Sequence, residues 1–273
     1  MQKHTPITIN YNNLEGLKET MGSVLSQNFK DYEWIVIDGG STDGSKELLE
    51  RNNDAISYWV SEPDRGIYHA MNKGVDVAQG EYCQFLNSGD SLISPDILEK
   101  VFSYELSDVN YGDVWLTKKG KVVEKRTYPD TITLPCLFGY PPPSHQATFF
   151  RTLLVKQHLY REQYSIAADV CLFLELYVTG SHFKHLPLPI VYFDLGGIGS
   201  KPETYQERIR QLTAIKQEFL PAQVVDGIEQ LIIDYKNFQF VLKIAPLRWT
   251  YTFFRKVQIL YGHFVSLILV GKW

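Results

Sequence analysis

Three groups of acidic and amide side chains stand out by type and by position. Asp38 closes the run Trp34-Ile35-Val36-Ile37, Asp64 follows shortly after a run ending at Val60, and Asn87 and Asp90 follow Tyr82-Cys83-Gln84-Phe85-Leu86. Gly39, Gly40, Gly44, Gly66 and Gly89 accompany them, and glycine lets backbone come close to a ligand. Asp and Gly also make ordinary loops; three such groups at three run ends point instead to a shared crevice. Carboxylates repel a diphosphate directly but can hold one through a divalent cation. Mg²⁺ and Mn²⁺ favour oxygen ligands and often bind through one or two carboxylates plus substrate phosphates. Asp90 is the natural metal carboxylate, and Asp38 could accept hydrogen bonds from a nucleoside. The first run leads into Tyr11-Asn12-Asn13-Leu14-Glu15-Gly16. This is neither Gly-x-Gly-x-x-Gly nor a P-loop, so no glycine-rich helix start cradles the phosphates.

The elements that must position these residues alternate in period. Short β-rich runs at 7–10, 34–37, 57–60 and 82–86 are separated by amphipathic stretches. Leu14, Leu17, Met21, Val24 and Leu25 form one, Leu48 and Leu49 belong to a second, and Ile67, Ala70, Met71, Val75 and Ala78 form a third. Alternation of this kind predicts an α/β fold with a mainly parallel central sheet flanked by helices, its crossovers right-handed. Each acidic group then lies at the carboxyl end of a parallel strand, where open α/β sheets bind their ligands. Beyond residue 95 the pattern loosens. A helix is expected over 95–104, strands over 109–116 and 122–125, and a loop over 135–143, where prolines and a glycine interrupt regular structure. Helix is expected again over 167–178, one or two strands broken by Pro187 and Pro189 over 183–193, and helices over 203–219 and 223–242. Asp113 reads either as a wall of a sugar pocket or as a loop residue.

The chain has 273 residues, is 44% hydrophobic and 21% charged, and carries a formal net charge of -4. That composition suits an ordinary globular core and argues against a nucleic-acid partner, which would call for a basic excess. Cys83, Cys136 and Cys171 are far apart with no Cys-x-x-Cys pair, so a zinc ribbon or redox dithiol is unsupported and a reducing cytosol fits. The first six residues lack the apolar stretch of a signal peptide. From 235 to 273 there is no Asp or Glu, while Lys and Arg are interleaved with Phe, Trp and Tyr. Such a mixture suits an anionic membrane interface. The apolar run 257–270 is short of the roughly 20 residues a membrane span needs, so peripheral contact at the inner face of the cell membrane is expected, with a helix folded back on the domain as the other reading.

Taken together, these segments resemble glycosyltransferase family two. The run Val36-Ile37-Asp38-Gly39-Gly40-Ser41-Thr42-Asp43-Gly44-Ser45 is similar to its Asp-x-x-Ser-x-Asp-x-[Ser/Thr] signature. Ser61-Glu62-Pro63-Asp64-Arg65-Gly66-Ile67-Tyr68-His69-Ala70-Met71-Asn72-Lys73-Gly74 resembles its next block, and Phe85-Leu86-Asn87-Ser88-Gly89-Asp90 a variant of its Asp-x-Asp block. The likeness spans roughly residues 6 to 105, and the Gly-Ile-Tyr-x-Ala-Met-Asn and Asn-Ser-Gly-Asp forms are similar to those of bacterial surface-polysaccharide enzymes such as colanic acid, capsule, O-antigen and exopolysaccharide transferases.

The resemblance implies a GT-A fold with a donor-binding half (1–105), an acceptor-binding and catalytic half (106–220) and a helical C-terminal tail (221–273). It implies a nucleoside-diphosphate sugar donor (a UDP-sugar foremost), Mn²⁺ or Mg²⁺, inversion at the anomeric carbon, and a glycan or lipid-linked glycan acceptor. By motif, Asp38 matches the nucleoside-binding aspartate, Thr8 and Tyr11 line the base pocket, Asp64 and Arg65 lie near base and diphosphate, and Asp90 is the metal ligand. Asn87 and Gly89 stand where the fullest Asp-x-Asp form has acids. Asp169, in Ala167-Ala168-Asp169-Val170-Cys171, matches the position of the general base that an inverting transfer needs, although Cys171 replaces the acid usual there. His145, in Ser144-His145-Gln146, borders the donor or acceptor sugar, and Gly196-Gly197-Ile198-Gly199-Ser200 resembles a segment that closes over the donor. Two other functions compete. One is a non-catalytic nucleotide-sugar-binding scaffold. The other, a sugar-nucleotide pyrophosphorylase, would want a basic glycine-rich loop that 11–16 lacks.

Overall fold

The computed structural model describes residues 3–118, 120–138, 142–197 and 202–242. The chain divides into two units, Met1–Pro221 and Ala222–Trp273.

The first unit is built on a mixed sheet, of nine strands among the described residues, in the order β3-β2-β1-β4-β8-β6-β9-β5, with β7 pairing β6. β1 (His4–Asn10), β2 (Ile35–Asp38), β3 (Tyr58–Ser61) and β4 (Tyr82–Phe85) are mutually parallel. β1, β2 and β4 are covered on both faces, and every residue of the three is buried, the polar ones included. α1 (Leu14–Leu25), α2 (Ser45–Arg51) and α3 (Ile67–Val77) are the crossovers. Asn13 starts α1 by accepting from the Gly16 N–H at 3.2 Å. α3 approaches the sheet so closely that a Cβ on Gly74 would stand 2.4 Å from Ile7 Cγ2.

Beyond β4 the strand directions mix. The short β5 (Ser91–Leu92) runs antiparallel to β9 (Phe183–Asp194), and β6 (Val109–Lys118) runs parallel to β9. β7 (Lys121–Arg126) returns as a hairpin on β6, and β8 (Thr148–Arg151) fits antiparallel between β4 and β6. α4 (Ile97–Phe102) precedes β6, and α6 (Thr152–His158), α7 (Ala168–Val178) and α8 (Tyr205–Phe219) follow β8. Two expectations are corrected. The segment 135–143 is not all loop, because Leu134–Phe138 forms the short helix α5 with Pro135 in its tolerated first turn. The prolines do not break the 183–193 strand either. They sit where the β6–β9 register shifts between Gly112 and Val114, and a bulge is where a strand can accept proline. Gly112 permits that bulge, since a Cβ there would lie 2.4 Å from Ile190 Cγ1.

The second unit begins with the helix α9 (Ala222–Leu242). No helix among the described residues is long and apolar enough to cross a membrane. The remainder of the basic-aromatic tail, and residues 198–200 of the glycine-rich segment, lie outside the described residues.

Candidate functional site

Asp38 ends β2, and Asp64 and Asp90 lie in the loops that follow β3 and β4. The three therefore share the carboxyl edge of the parallel half of the sheet, as the alternation of periods predicts. The loop at 11–13, leaving β1 between β2 and β4, ties that edge together. Asn12 N donates to Ser41 Oγ (2.7 Å), Thr42 N donates to Asn12 Oδ1 (2.9 Å), and Asn13 Nδ2 donates to the Ser88 carbonyl (3.0 Å).

Asp38 itself is fully buried. Its oxygens accept from Asn10 Nδ2 (2.7 Å), Ser41 N (2.9 Å), Ser41 Oγ (2.5 Å) and Ser61 Oγ (2.6 Å). A carboxylate so supplied with internal donors has no free lone pair directed to a nucleoside. Asp38 thereby holds the loop after β2 against the ends of β1 and β3. Thr8 lies in the core, where its Oγ1 accepts from Trp34 Nε1 at 3.0 Å.

Tyr11 and Asp64 lie on the accessible side of this edge, packed over the buried Gly39. The Tyr11 ring is 68% exposed. A Cβ built on Gly39 would stand 2.7 Å from Asp64 Oδ2 and 3.1 Å from the Tyr11 ring, so the Asp64 carboxylate fills the space a side chain at 39 would take. Its other oxygen accepts from Gly66 N at 2.8 Å. An aromatic face beside a carboxylate acceptor is the equipment for a planar base bearing an N–H. Arg65 extends from the same loop, 71% exposed, and forms a two-pronged pair with Glu162 at 2.9 and 3.2 Å. His69, on α3, only steadies this loop by accepting from Arg65 N at 3.2 Å.

The turn at 87–90 is hung from α1. Thr20 Oγ1 donates to the Asp90 carbonyl (2.7 Å) and accepts from Gly89 N (3.1 Å). Gly89 has φ +102°, a conformation that favours glycine. Asp90 is buried, and burial pushes its carboxyl up to about 8. Its Oδ1 accepts from Asp194 N at 3.0 Å.

Asp169 lies in the first turn of α7. α8 sets that helix start: Gln211 Oε1 accepts from Ile166 N (3.0 Å) and Ala167 N (3.2 Å). α3 sets it too, through Tyr68 Oη, which donates to the Ile166 carbonyl at 2.9 Å and lies 3.3 Å from Asp169 Oδ1. His145 Nδ1 is 3.6 Å from Asp169 Oδ2. The Asp169 side chain is 29% exposed and borders a cavity of about 300 Å³ lined also by Tyr128, Ser144, Phe193, Leu195 and Arg208. Burial raises its carboxyl, but the His145 ring, the Val170 N–H and the Tyr68 hydroxyl outweigh that, so the net shift is down and the carboxylate stays ionised. His145 and Gln146 share one 3-10 turn (His145–Ala147). His145 faces Asp169, and the Gln146 carbonyl accepts from Gln84 Nε2 of β4.

Known proteins are similar to this chain in sequence and in fold. Residues 6–155 match the family described as Glycosyl transferase family 2. The chain belongs to glycosyltransferase family 2. It is 32% identical over 206 residues to the uncharacterized glycosyltransferase Rv1514c of Mycobacterium tuberculosis, covering 72% of this chain and 77% of the relative. Over 101 residues it is 36% identical to Bacillus subtilis TuaG, named for teichuronic acid biosynthesis, covering 36% of this chain and 40% of TuaG. The crystal structure of S. aureus TarS 1-349 in complex with UDP-GlcNAc has the same fold, with a TM-score of 0.65 at 20% identity, covering 89% of this chain and 76% of the TarS fragment. The fold is thus the GT-A fold of family 2 enzymes.

Family 2 transferases of this fold commonly use a divalent cation, and the residues present suit one. Asp90 offers a carboxylate, and the amide oxygen of Asn87 is buried without a hydrogen-bond partner. An oxygen donor set of this kind fits Mg²⁺ or Mn²⁺. No group of three or more His, Cys, Asp and Glu that could hold a metal occurs among the described residues; water and substrate phosphate are the usual further ligands of these ions. The sequence reading missed Ser61, Tyr68, Gln146 and Asp194, which reach the site from separate elements. Asp113, in turn, forms no wall of the cavity: its Oδ1 accepts from Tyr128 N (3.0 Å) and lies 3.0 Å from His185 Nε2.

Proposed function

We propose that the chain is an inverting glycosyltransferase. It moves a sugar from a nucleoside-diphosphate sugar, a UDP-sugar foremost, to a hydroxyl of a glycan or lipid-linked glycan in bacterial surface-polysaccharide synthesis. One observation carries this reading. A partly exposed, ionised Asp169 opens into a cavity with His145 3.6 Å from its carboxylate, in the same unit that sets Asp64 and Asp90 at the strand edge. TarS, which shares the fold, binds UDP-GlcNAc, and the name of TuaG supports the surface-polymer class of acceptor.

In this reading Tyr11 and Asp64 receive the base, and Arg65 lies toward the diphosphate. Asp90 and Asn87 would hold the cation, which when bound neutralises charge on the departing diphosphate. Asp169 removes the acceptor hydroxyl proton as that oxygen attacks the anomeric carbon from the face opposite the leaving group. His145 holds Asp169 in its ionised form, and the cavity excludes water that would otherwise hydrolyse the donor. The basic and aromatic composition of 235–273 supports peripheral attachment at the inner face of the cell membrane. Sedimentation of the full chain with anionic but not neutral vesicles is the expected result, and recovery of all protein in the supernatant with both would contradict it.

The direct test of the reaction is sugar transfer or slow hydrolysis from UDP-sugars with Mn²⁺, in wild type and Asp169→Asn. Loss of a general base lowers turnover by about 10²–10⁴-fold, with UDP binding retained. Equal turnover in the two proteins would remove Asp169 from the mechanism.

A further inference from the structure

The variant motif Asn87-Ser88-Gly89-Asp90 leaves one acid in the turn after β4. The structure brings another from far along the chain. β5 starts at Ser91, immediately after Asp90, and pairs antiparallel with β9 through Ser91↔Tyr192 and Leu92↔Val191. That register carries Asp194, at the end of β9, to the 87–90 turn, where its N–H donates to Asp90 Oδ1 at 3.0 Å. Asp194 is also fixed from the β6 side, by its pairing with Thr117 and by Leu195 N donating to the Thr117 carbonyl at 2.9 Å.

The Asp194 side chain lies beside position 89. A Cβ built on Gly89 would stand 3.8 Å from both Asp194 Cβ and Asp194 Oδ2. A side chain at 89 would thus be in van der Waals contact with the Asp194 carboxylate and with Asn13 Nδ2, the nearest atom at 3.6 Å. Gly196 keeps that carboxylate uncovered, since a Cβ there would lie 2.7 Å from Asp194 Oδ2. Among the described residues neither Asp90 nor Asp194 pairs with a lysine, arginine or histidine, and the Asn87 amide oxygen in the same turn is buried with no donor. Two neighbouring carboxylates and an orphaned amide oxygen, with no protein cation among them, make an all-oxygen set suited to a hard divalent ion.

We infer that Asp194 supplies the second carboxylate of the cation site, in place of the acid that the motif lacks at position 89. The inference rests on the reading of Asp90 as the cation carboxylate. It makes the site a joint product of the donor-side turn and the last strand of the sheet. A purely structural Asp194 needs only its main-chain N–H for the bond to Asp90, and its side chain would then be dispensable for metal binding.

The experiment uses the full-length protein with Mn²⁺ and UDP and no sugar, so that no turnover enters. Mn²⁺ affinity is read from the free-ion electron paramagnetic resonance signal, for wild type, Asp90→Asn and Asp194→Asn. Outer-shell changes already weaken metal sites by about 10–100-fold, so removal of a direct ligand is expected to cost at least that in each variant. Wild-type affinity in Asp194→Asn, with loss in Asp90→Asn, overturns the inference and leaves the cation reading standing. Failure of wild type to bind Mn²⁺ with UDP, or full affinity in Asp90→Asn, overturns both. Should Asp194→Asn not fold, Asp194→Glu keeps the charge but moves it by one methylene. A changed spectrum of the bound ion is then expected, and a spectrum identical to wild type overturns the inference.

Discussion

Asp38 and Asp169 show how differently two carboxylates of one fold can be used. Asp38 is closed off by four internal hydrogen bonds, and Asp169 is partly open beside an imidazole. Replacing Asp38 by Ala removes the acceptor of two serine hydroxyls, the Ser41 N–H and the Asn10 side-chain amide. Hydrogen bonds to a charged group are worth about 1.5–3 kcal/mol each, so the loss of stability is expected to be on the order of 3 kcal/mol or more, read by chemical denaturation. A change within 0.5 kcal/mol, roughly what surface substitutions produce, would show that the buried network does not hold the loop. His145→Gln tests the second carboxylate. The imidazole lowers the Asp169 carboxyl, so its removal raises that group toward or above the ordinary value. The base must be ionised to act, and the acidic limb of kcat/KM against pH therefore moves to higher pH in the variant. An unmoved limb with a uniformly lower rate would assign His145 to packing alone.

At the scale of elements, the close approach of α3 to the sheet is measurable. In an isolated helix Gly→Ala stabilises by about 1 kcal/mol. At Gly74 the new methyl meets Ile7 Cγ2, and overpacking of this kind costs about 1–3 kcal/mol. Gly74→Ala is thus expected to be neutral to destabilising in thermal unfolding, and a gain of the full helix-propensity value would contradict the close packing. The same scale shows what the sequence discloses. β1 to β4 and α1 to α3 were legible because each buries a face or a whole run with its own period, and because the turn residues between them are short and polar. The position of β8 between β4 and β6 depends on pairings that local period does not encode. The prolines of β9 read as breaks because the bulge that admits them is made with Gly112, more than 70 residues earlier. α5 was hidden by counting prolines without asking whether one could occupy a first helical turn.

For the whole molecule, the strand-edge site was legible in outline and incomplete in membership. Three acids at three strand ends placed the crevice. Residue type alone did not distinguish Asp38, which holds the loop, from Asp64, which lies beside Tyr11. The partners that fold back from the second half, Gln146 and Asp194, carry no local signal, because their roles come from the β4–β8 and β5–β9 pairings. The cavity beside Asp169 and the turn at Asp90 belong to one unit, so donor binding and stability are coupled by mass action. A ligand at 100 times its Kd adds about 2.7 kcal/mol to the folded state.

The measurement closest to the central claim is thermal unfolding of the full chain with a panel of UDP-, GDP- and dTDP-sugars, each with Mn²⁺ and with EDTA. A cation-bridged diphosphate on the strand edge predicts that at least one nucleotide sugar raises the midpoint by several degrees with Mn²⁺ and much less with EDTA, and that Asp90→Asn loses the difference. Midpoints unmoved by every donor, or moved equally with and without the cation, would contradict it.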